Sequence, residues 1–286
     1  MDYANPSALV DTEWLAAHLQ DPHVRVIDAT SFLPTSKRDA GREFAERHIP
    51  GAVFFDLDDI SAQDTDLPHM LPEGSDFADK VGRLGIGSDD FVVAYEGRGN
   101  YCASARAWWM FRIFGHDRIA VLDGGLVKWI AEGRPTQSGA ATSEARLITP
   151  TPLRRTMIRY LEDLLDNIEG GREQVVDVRG AARFTGTGAE PRRGMRGGHI
   201  PGSLSMPLPD LLGPADDPTM PSGEAIEHAL DCAGITKDRP VVATCGSGVA
   251  AAVVALALHL VGRVDCAVYD GSWTEWGGRE DTPVET

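Results

Sequence analysis

Cys245-Gly246-Ser247-Gly248 joins two stretches of different character and is the part of the chain best placed to do chemistry. Before it, Val241, Val242, Ala243 and Thr244 are small or β-branched, as a short buried strand requires. After it, Val249 to Val261 is almost wholly apolar, rich in alanine and free of proline, which predicts a buried helix. Two glycines in three positions permit a tight loop whose backbone can approach a ligand. A cysteine at such a turn faces unpaired amide N–H groups and the positive end of a helix dipole, and both stabilise a thiolate. Cys245 is therefore the candidate nucleophile, against the plainer reading of a small buried hydrophobe. The loop from Cys245 through Gly246, Gly248 and Val249 to Ala250 could turn successive amides inward as an anion-binding nest. It contains no cationic side chain, so the charge of an anionic substrate has to be met from elsewhere.

The elements around this loop belong to a chain of 286 residues, a length that suits about two domains. Hydrophobic residues make up 42% and charged residues 24%, an ordinary globular balance. The net charge is −16, from 27 basic against 43 acidic residues, which argues against nucleic acid or an anionic membrane as partner. A local arginine cluster can still serve a small anion. Met1–Leu19 has early acids and no uninterrupted apolar core, so no secretory leader is expected. Val249–Val261, interrupted by His259, is too short to span a bilayer. The cysteines at 102, 232, 245 and 266 form no CxxC pair, which predicts free thiols, a reducing cytoplasmic location and no zinc site. No cofactor is expected. The acidic run Asp56–Asp66 lacks the spacing and glycine of a calcium loop and reads as solvated.

One plan occurs twice, at a period of about 150 residues. Val24–Ala29 resembles Gln174–Arg179, and His48-Ile49-Pro50-Gly51 recurs as His199-Ile200-Pro201-Gly202. Phe91–Tyr95 corresponds to Pro240–Thr244, and Asp123-Gly124-Gly125 with Trp129 to Asp270-Gly271-Ser272 with Trp276. In the first copy, helices are expected over Leu9–Leu19, Asp76–Leu84 and Ser104–Phe114, with strands over Val24–Ile27, Val92–Tyr95 and Ile119–Leu122. Such alternation gives an α/β fold with a mostly parallel sheet covered on both faces, and ligands sit beyond the carboxyl ends of its strands. The polar, breaker-rich segment Gly133–Ser143 reads as the join. The expected units are 1–142 and 148–286. Glu96-Gly97-Arg98-Gly99 stands where the second copy has its thiol loop, so the first copy is silent and Cys102 is structural.

These blocks resemble the tandem-domain rhodanese-like sulfurtransferases over nearly the whole chain. Within that family, Cys-Gly-Ser-Gly-Val is similar to the 3-mercaptopyruvate sulfurtransferases, whereas thiosulfate-preferring rhodaneses carry a basic loop beginning Cys-Arg. The resemblance implies two tandem rhodanese-like domains, each a mostly parallel sheet flanked by helices. It also implies transfer of a sulfane sulfur through a Cys245 persulfide to a small thiol, a thioredoxin-like protein or cyanide, with release of pyruvate. Arg183 and Arg192 match the positions that bind the carboxylate and keto groups of the donor, and an arginine fork suits a planar carboxylate. Ser247, His69 and Asp58 match a Ser-His-Asp arrangement beside the thiol, suited to polarising the keto oxygen or protonating the leaving enolate. Asp56 and Asp59 lie close to Asp58 and are equally carboxylic. The family commonly has threonine where this chain has Ala250, which bears on loop geometry and turnover more than on reaction type.

Other residues read more plainly. His48 and His199, shared by both copies, are expected to be turn residues, and Trp108, Trp109, Phe111 and Phe114 core or interdomain packing. Trp273 and Trp276 are expected to pack the last helix, with Trp273 a possible wall of the pocket; Tyr101 and Arg106 are secondary candidates for the cleft. Two rival activities share the chemistry: a thiosulfate:cyanide sulfurtransferase, disfavoured by the absence of a basic loop residue, and a non-catalytic persulfide carrier. A cysteine phosphatase would need an arginine closing the loop, where this chain has Val249, Ala250 and Ala251.

Overall fold

Valine, isoleucine, leucine and alanine dominate the strands, which suits strands covered on both faces and paired in parallel. The computed structural model describes residues 2–286 apart from Thr142, Pro214 and Ala215, so Met1 and Thr142, the ends expected for the first unit, lie outside the described residues. In the first copy the strands are β1 (Leu9–Val10), β2 (Val24–Asp28), β3 (Val53–Phe54), β4 (Phe91–Tyr95) and β5 (Ile119–Leu122). The second has β6 (Ile158–Arg159), β7 (Gln174–Asp177), β8 (Leu204–Ser205), β9 (Val241–Thr244) and β10 (Cys266–Tyr269). They form two five-stranded sheets of identical order, β1-β5-β4-β2-β3 and β6-β10-β9-β7-β8. All the pairings are parallel. Each sheet has helices on both sides, as expected for tandem rhodanese-like domains.

Register refines the match between the copies. Asp28 lies opposite Tyr95, and Asp177 opposite Thr244, which makes Asp28 the counterpart of Asp177. The blocks Val24–Ala29 and Gln174–Arg179 therefore align one residue away from the pairing their sequences suggest. The helix expected over Leu9–Leu19 is shorter, Thr12–His18, because the Asp11 side chain caps it by accepting from Trp14 N at 2.6 Å. Leu9 and Val10 pair instead with Val121 and Leu122 at the sheet edge. The helix after the thiol loop runs Ala251–Leu260. Val249 and Ala250 form a tighter turn before it, their carbonyls accepting from Ala252 N and Val253 N.

The two copies meet through the helices Cys102–Ile113 and Ala251–Leu260. Both are apolar on nearly every side, as befits helices buried between two sheets. Their residues, with Trp108, Trp109, Phe111 and Phe114, belong to one hydrophobic cluster that runs through both copies. Each copy keeps a smaller outer cluster, around Trp129 in the first and around Trp273 and Trp276 in the second. The connecting segment follows the first copy, with Ser88 N donating to Leu147 O and Thr151 N to Phe114 O. His48 and His199 are turn residues as expected, donating from Nδ1 to the carbonyls of Phe44 and Phe184 and stacking on the same rings.

Leu256 is fully buried in the shared cluster. Its replacement by alanine is expected to cost about 3 kcal/mol and to lower the denaturant midpoint accordingly, the usual result of a cavity in a packed core.

Candidate active site

β9 delivers Cys245 to the carboxyl edge of the second sheet, where the residue is 4% exposed. The loop that follows is anchored by its carbonyls. Cys245 O accepts from Trp273 N at 3.0 Å, and Gly246 O from Thr274 N at 2.9 Å and Thr274 Oγ1 at 2.5 Å. Gly248 O accepts from Arg106 Nη1 at 3.4 Å. Each peptide is planar and trans, so the N–H groups of Gly246, Ser247 and Val249 point away from these anchors. Among the described residues, the backbone N–H groups of Gly246, Ser247, Val249 and Ala250 have no protein acceptor. The Ala251–Leu260 helix begins directly behind them without a side-chain cap. Gly248 has φ +74°, and a Cβ there would lie 2.9 Å from Asp270 O and 3.0 Å from Arg106 Nη1. Only glycine satisfies both conditions.

The nest is smaller than the sequence suggests. Ser272 Oγ accepts from Cys245 N at 3.2 Å and from Gly248 N at 3.0 Å, and donates to Tyr269 O at 2.8 Å. Sequence reasoning does not single out Ser272. Its signal lies in the contrast between copies, because the counterpart is Gly125, where a Cβ would come within 2.6 Å of Glu96 O. Glu96 occupies the corresponding loop of the first copy. Its carboxylate occupies its own cradle, with Oε1 accepting from Arg98 N at 3.2 Å and Asn100 N at 2.9 Å. Burial holds the Glu96 carboxyl above its ordinary pKa despite these bonds. Cys102 is buried at the start of its helix, and burial pushes its thiol pKa upward.

The second copy brings two guanidinium groups to the loop. Measured from the place a Cβ on Gly246 would take, Arg183 Nη2 is 3.4 Å away and Arg192 Nη1 3.8 Å. Their environments differ. Glu190 Oε2 accepts from Arg183 Nε at 3.0 Å and Nη2 at 2.5 Å, while Glu190 Oε1 accepts from Arg179 Nη1 at 2.9 Å. Arg179 is itself buried against Asp177 and stacked over Trp273, a residue 1% exposed that packs within the domain. The Nε/Nη2 edge of Arg183 is therefore filled, which leaves its Nη1/Nη2 edge as the fork a substrate could meet. Arg192 has no hydrogen-bond or ion-pair partner among the described residues, and burial lowers its pKa while the Cys245 charge opposes that shift. It remains a cation at any ordinary pH.

The first copy contributes His69, 11% exposed at its side chain, which adopts the left-handed conformation at φ +61°. His69 Nδ1 is 2.9 Å from Ser247 Oγ, and His69 Nε2 is 3.0 Å from Asp58 Oδ1. Asp56 has a different task, capping the short helix Leu57–Ile60 by accepting from Asp58 N and Asp59 N. The choice among the three carboxylates thus falls on Asp58. Of the secondary candidates, Tyr101 turns into its own copy, with its hydroxyl at Asp123 Oδ1, and Arg106 lies beneath the thiol loop.

Two parallel α/β domains meet at this site, one presenting a thiol at a strand-to-helix loop and the other a histidine against it. The rhodanese-like domain model matches residues 11–132 and 160–279, and the chain belongs to that family. It is 44% identical over 278 residues to the human 3-mercaptopyruvate sulfurtransferase, covering 94% of this chain and 91% of the relative. It is 41% identical over 286 residues to the bovine thiosulfate sulfurtransferase, covering 98% and 94%. The crystal structure of the Escherichia coli 3-mercaptopyruvate enzyme superposes with a TM-score of 0.84 at 33% identity, covering 93% of this chain and 98% of that one. The chain is an enzyme of sulfur transfer, similar to the 3-mercaptopyruvate sulfurtransferases. No described helix is long and apolar enough to cross a membrane.

The His69 contact holds the Asp58 carboxyl below its ordinary pKa. A lowered native pKa means that the pairing contributes above the unfolded value of about 3.9 and is lost as pH falls through the native one. Asp58 is largely exposed, so Asp58→Asn is expected to leave the melting temperature at pH 7 nearly unchanged. The same change is expected to lower kcat about tenfold, far less than loss of a buried triad carboxylate costs, because Asp58 is exposed. A large fall in melting temperature with full kcat would contradict this.

Proposed function

We propose that the chain transfers the sulfur of 3-mercaptopyruvate to a thiol acceptor through a persulfide on Cys245. The Cys245 thiolate attacks the donor sulfur, an S–S bond forms, the C–S bond breaks, and the electron pair leaves on pyruvate enolate. Ser247, hydrogen-bonded to His69 and through it to Asp58, polarises the keto oxygen and supplies the proton that completes pyruvate. A small thiol, a thioredoxin-like protein or cyanide then takes the outer sulfur and restores the thiolate. The N–H groups of Gly246, Ser247, Val249 and Ala250 hold the anionic persulfide between these steps. Neither cofactor nor metal enters this sequence.

The observation that carries the choice of donor is the approach of Arg183 and Arg192 to Gly246, next to the nucleophile. Arg192, which has no partner among the described residues, is assigned to the carboxylate, and Arg183, steadied by Glu190, to the keto side. We assign residues 1–142 to the silent copy and 148–286 to the catalytic one. The four cysteines are free, which favours a reducing, cytoplasmic setting. The likeness to the bovine thiosulfate enzyme makes thiosulfate the competing donor, yet the loop offers that dianion no basic side chain of its own.

Steady-state kinetics with 3-mercaptopyruvate and thiosulfate against one acceptor test this reading. Cys245→Ser is expected to abolish transfer from both. Arg192→Ala is expected to raise KM for 3-mercaptopyruvate about 10- to 100-fold, the worth of a charge-assisted bond, with a much smaller change for thiosulfate. Equal changes for both donors would remove the carboxylate role, and persulfide formation without turnover would point to a sulfur carrier.

A further inference from the structure

We infer that Arg106 and Asp270 are a positioning pair that holds His69 against the thiol loop across the interface, and so set the turnover of the Cys245 site without touching substrate. This rests on the role proposed above for His69. Arg106 comes from the first copy's helix Cys102–Ile113 and is fully buried. One face of its guanidinium lies over Trp109, 4.4 Å from the ring centre. Its edge gathers three acceptors from both copies: Nη2 donates to His69 O at 2.5 Å and to Asp270 Oδ1 at 2.7 Å, and Nη1 to Gly248 O at 3.4 Å. Asp270, also fully buried, uses its other oxygen to accept from Leu71 N at 2.8 Å. The backbone on both sides of residue 70 is thus fixed to one buried ion pair. His69 holds a left-handed conformation that a non-glycine residue keeps only when its surroundings impose it. The same guanidinium grips the loop that carries Ser247, so the 2.9 Å contact between Ser247 and His69 is set from one point.

The duplication supplies an internal control. In the mirror position, Met220 N donates to Asp123 Oδ1 at 2.8 Å, matching the bond from Leu71 N to Asp270. The backbone lock therefore exists on both sides of the interface. The cation does not. Asp123 is met by the neutral hydroxyl of Tyr101, the counterpart of Arg106 at the same offset is Ala255, and the counterpart of His69 is Pro218. A device needed only to hold the domains together would serve both sides alike. The arginine is present only where a histidine has to be aimed at a loop.

Kinetics of the wild type, R106K, H69A and R106K/H69A with 3-mercaptopyruvate test the inference. Lysine keeps a charge opposite Asp270 but cannot serve three acceptors from one planar group. R106K is expected to lower kcat about 10- to 100-fold, the effect of a small misplacement, with KM changed by less than about threefold. In the H69A background R106K is expected to cost much less, because most of its effect passes through His69 and only its bond to Gly248 O remains to be lost. An equal loss in both backgrounds would overturn the inference, as would an R106K enzyme with wild-type kcat. H69A with full kcat would instead remove the role of His69 itself, and the inference with it. The double variant R106Q/D270N, which leaves no unpaired buried ion, separates positioning from folding. It is expected to keep the wild-type near-UV circular dichroism and to reproduce the kcat loss; full kcat in that folded variant would also overturn the inference.

Discussion

The buried contact between the helices Cys102–Ile113 and Ala251–Leu260 is what the site depends on. Neither copy holds a complete set of groups: Cys245, Ser247, Arg183 and Arg192 come from one, and His69 and Asp58 from the other. A shift of one sheet against the other would break the hydrogen bond between Ser247 and His69 before it exposed much apolar surface. The interface resists such a shift because Trp108, Trp109 and the alanine-rich helix form a single close-packed core. Ala251, Ala252, Ala255 and Ala257 let the two helices approach, and that closeness lets one arginine reach the thiol loop.

Duplication produced two cradles of the same build and left them with different contents. In the first, the Glu96 side chain accepts from two loop amides, and Gly125 leaves room for Glu96 O. In the second, the position of Glu96 is a thiol, Ser272 takes up Cys245 N and Gly248 N, and Ser247 N and Val249 N, the counterparts of the two amides that Glu96 satisfies, are left over. The loop N–H groups that remain have no acceptor among the described residues, which is costly for a folded chain unless a ligand or water completes them. The two cradles thus differ in what meets their amides: a side chain of the loop itself in the first copy, and in the second a thiol beside N–H groups turned outward.

Much of this was legible in the chain. The strand-loop-helix character around Cys245 and the repeated His-Ile-Pro-Gly and Asp-Gly blocks gave the doubled α/β plan, because buried parallel strands and buried helices leave strong apolar signatures. The residues at 58, 69, 183, 192 and 247 came from family resemblance, since no local pattern links a loop histidine to a serine 178 positions away. What escaped was partnership. No sequence pattern shows that Glu190 fills one edge of Arg183, that Ser272 ties down two amides, or which acceptors Arg106 meets in the cleft it was a candidate for. Each is a polar residue whose meaning depends on which buried atom it meets. Leu9 and Val10 escaped for another reason: a two-residue edge strand is too short for periodicity to register, and it was absorbed into the helix that follows.

The charge distribution joins these levels. A chain with a net charge of −16 still gathers Arg179, Arg183 and Arg192 around one end of the second sheet. Left unpaired, three such cations would repel one another in a partly buried space. Asp177 and Glu190 prevent this by neutralising the two that build the wall, so that Arg179 and Arg183 become fixed framework and Arg192 remains the open cation. One free positive charge matches one carboxylate on a donor; a thiosulfate dianion would leave a charge unmet. The selectivity proposed for this site therefore resides less in the arginines themselves than in the carboxylates that occupy two of the three.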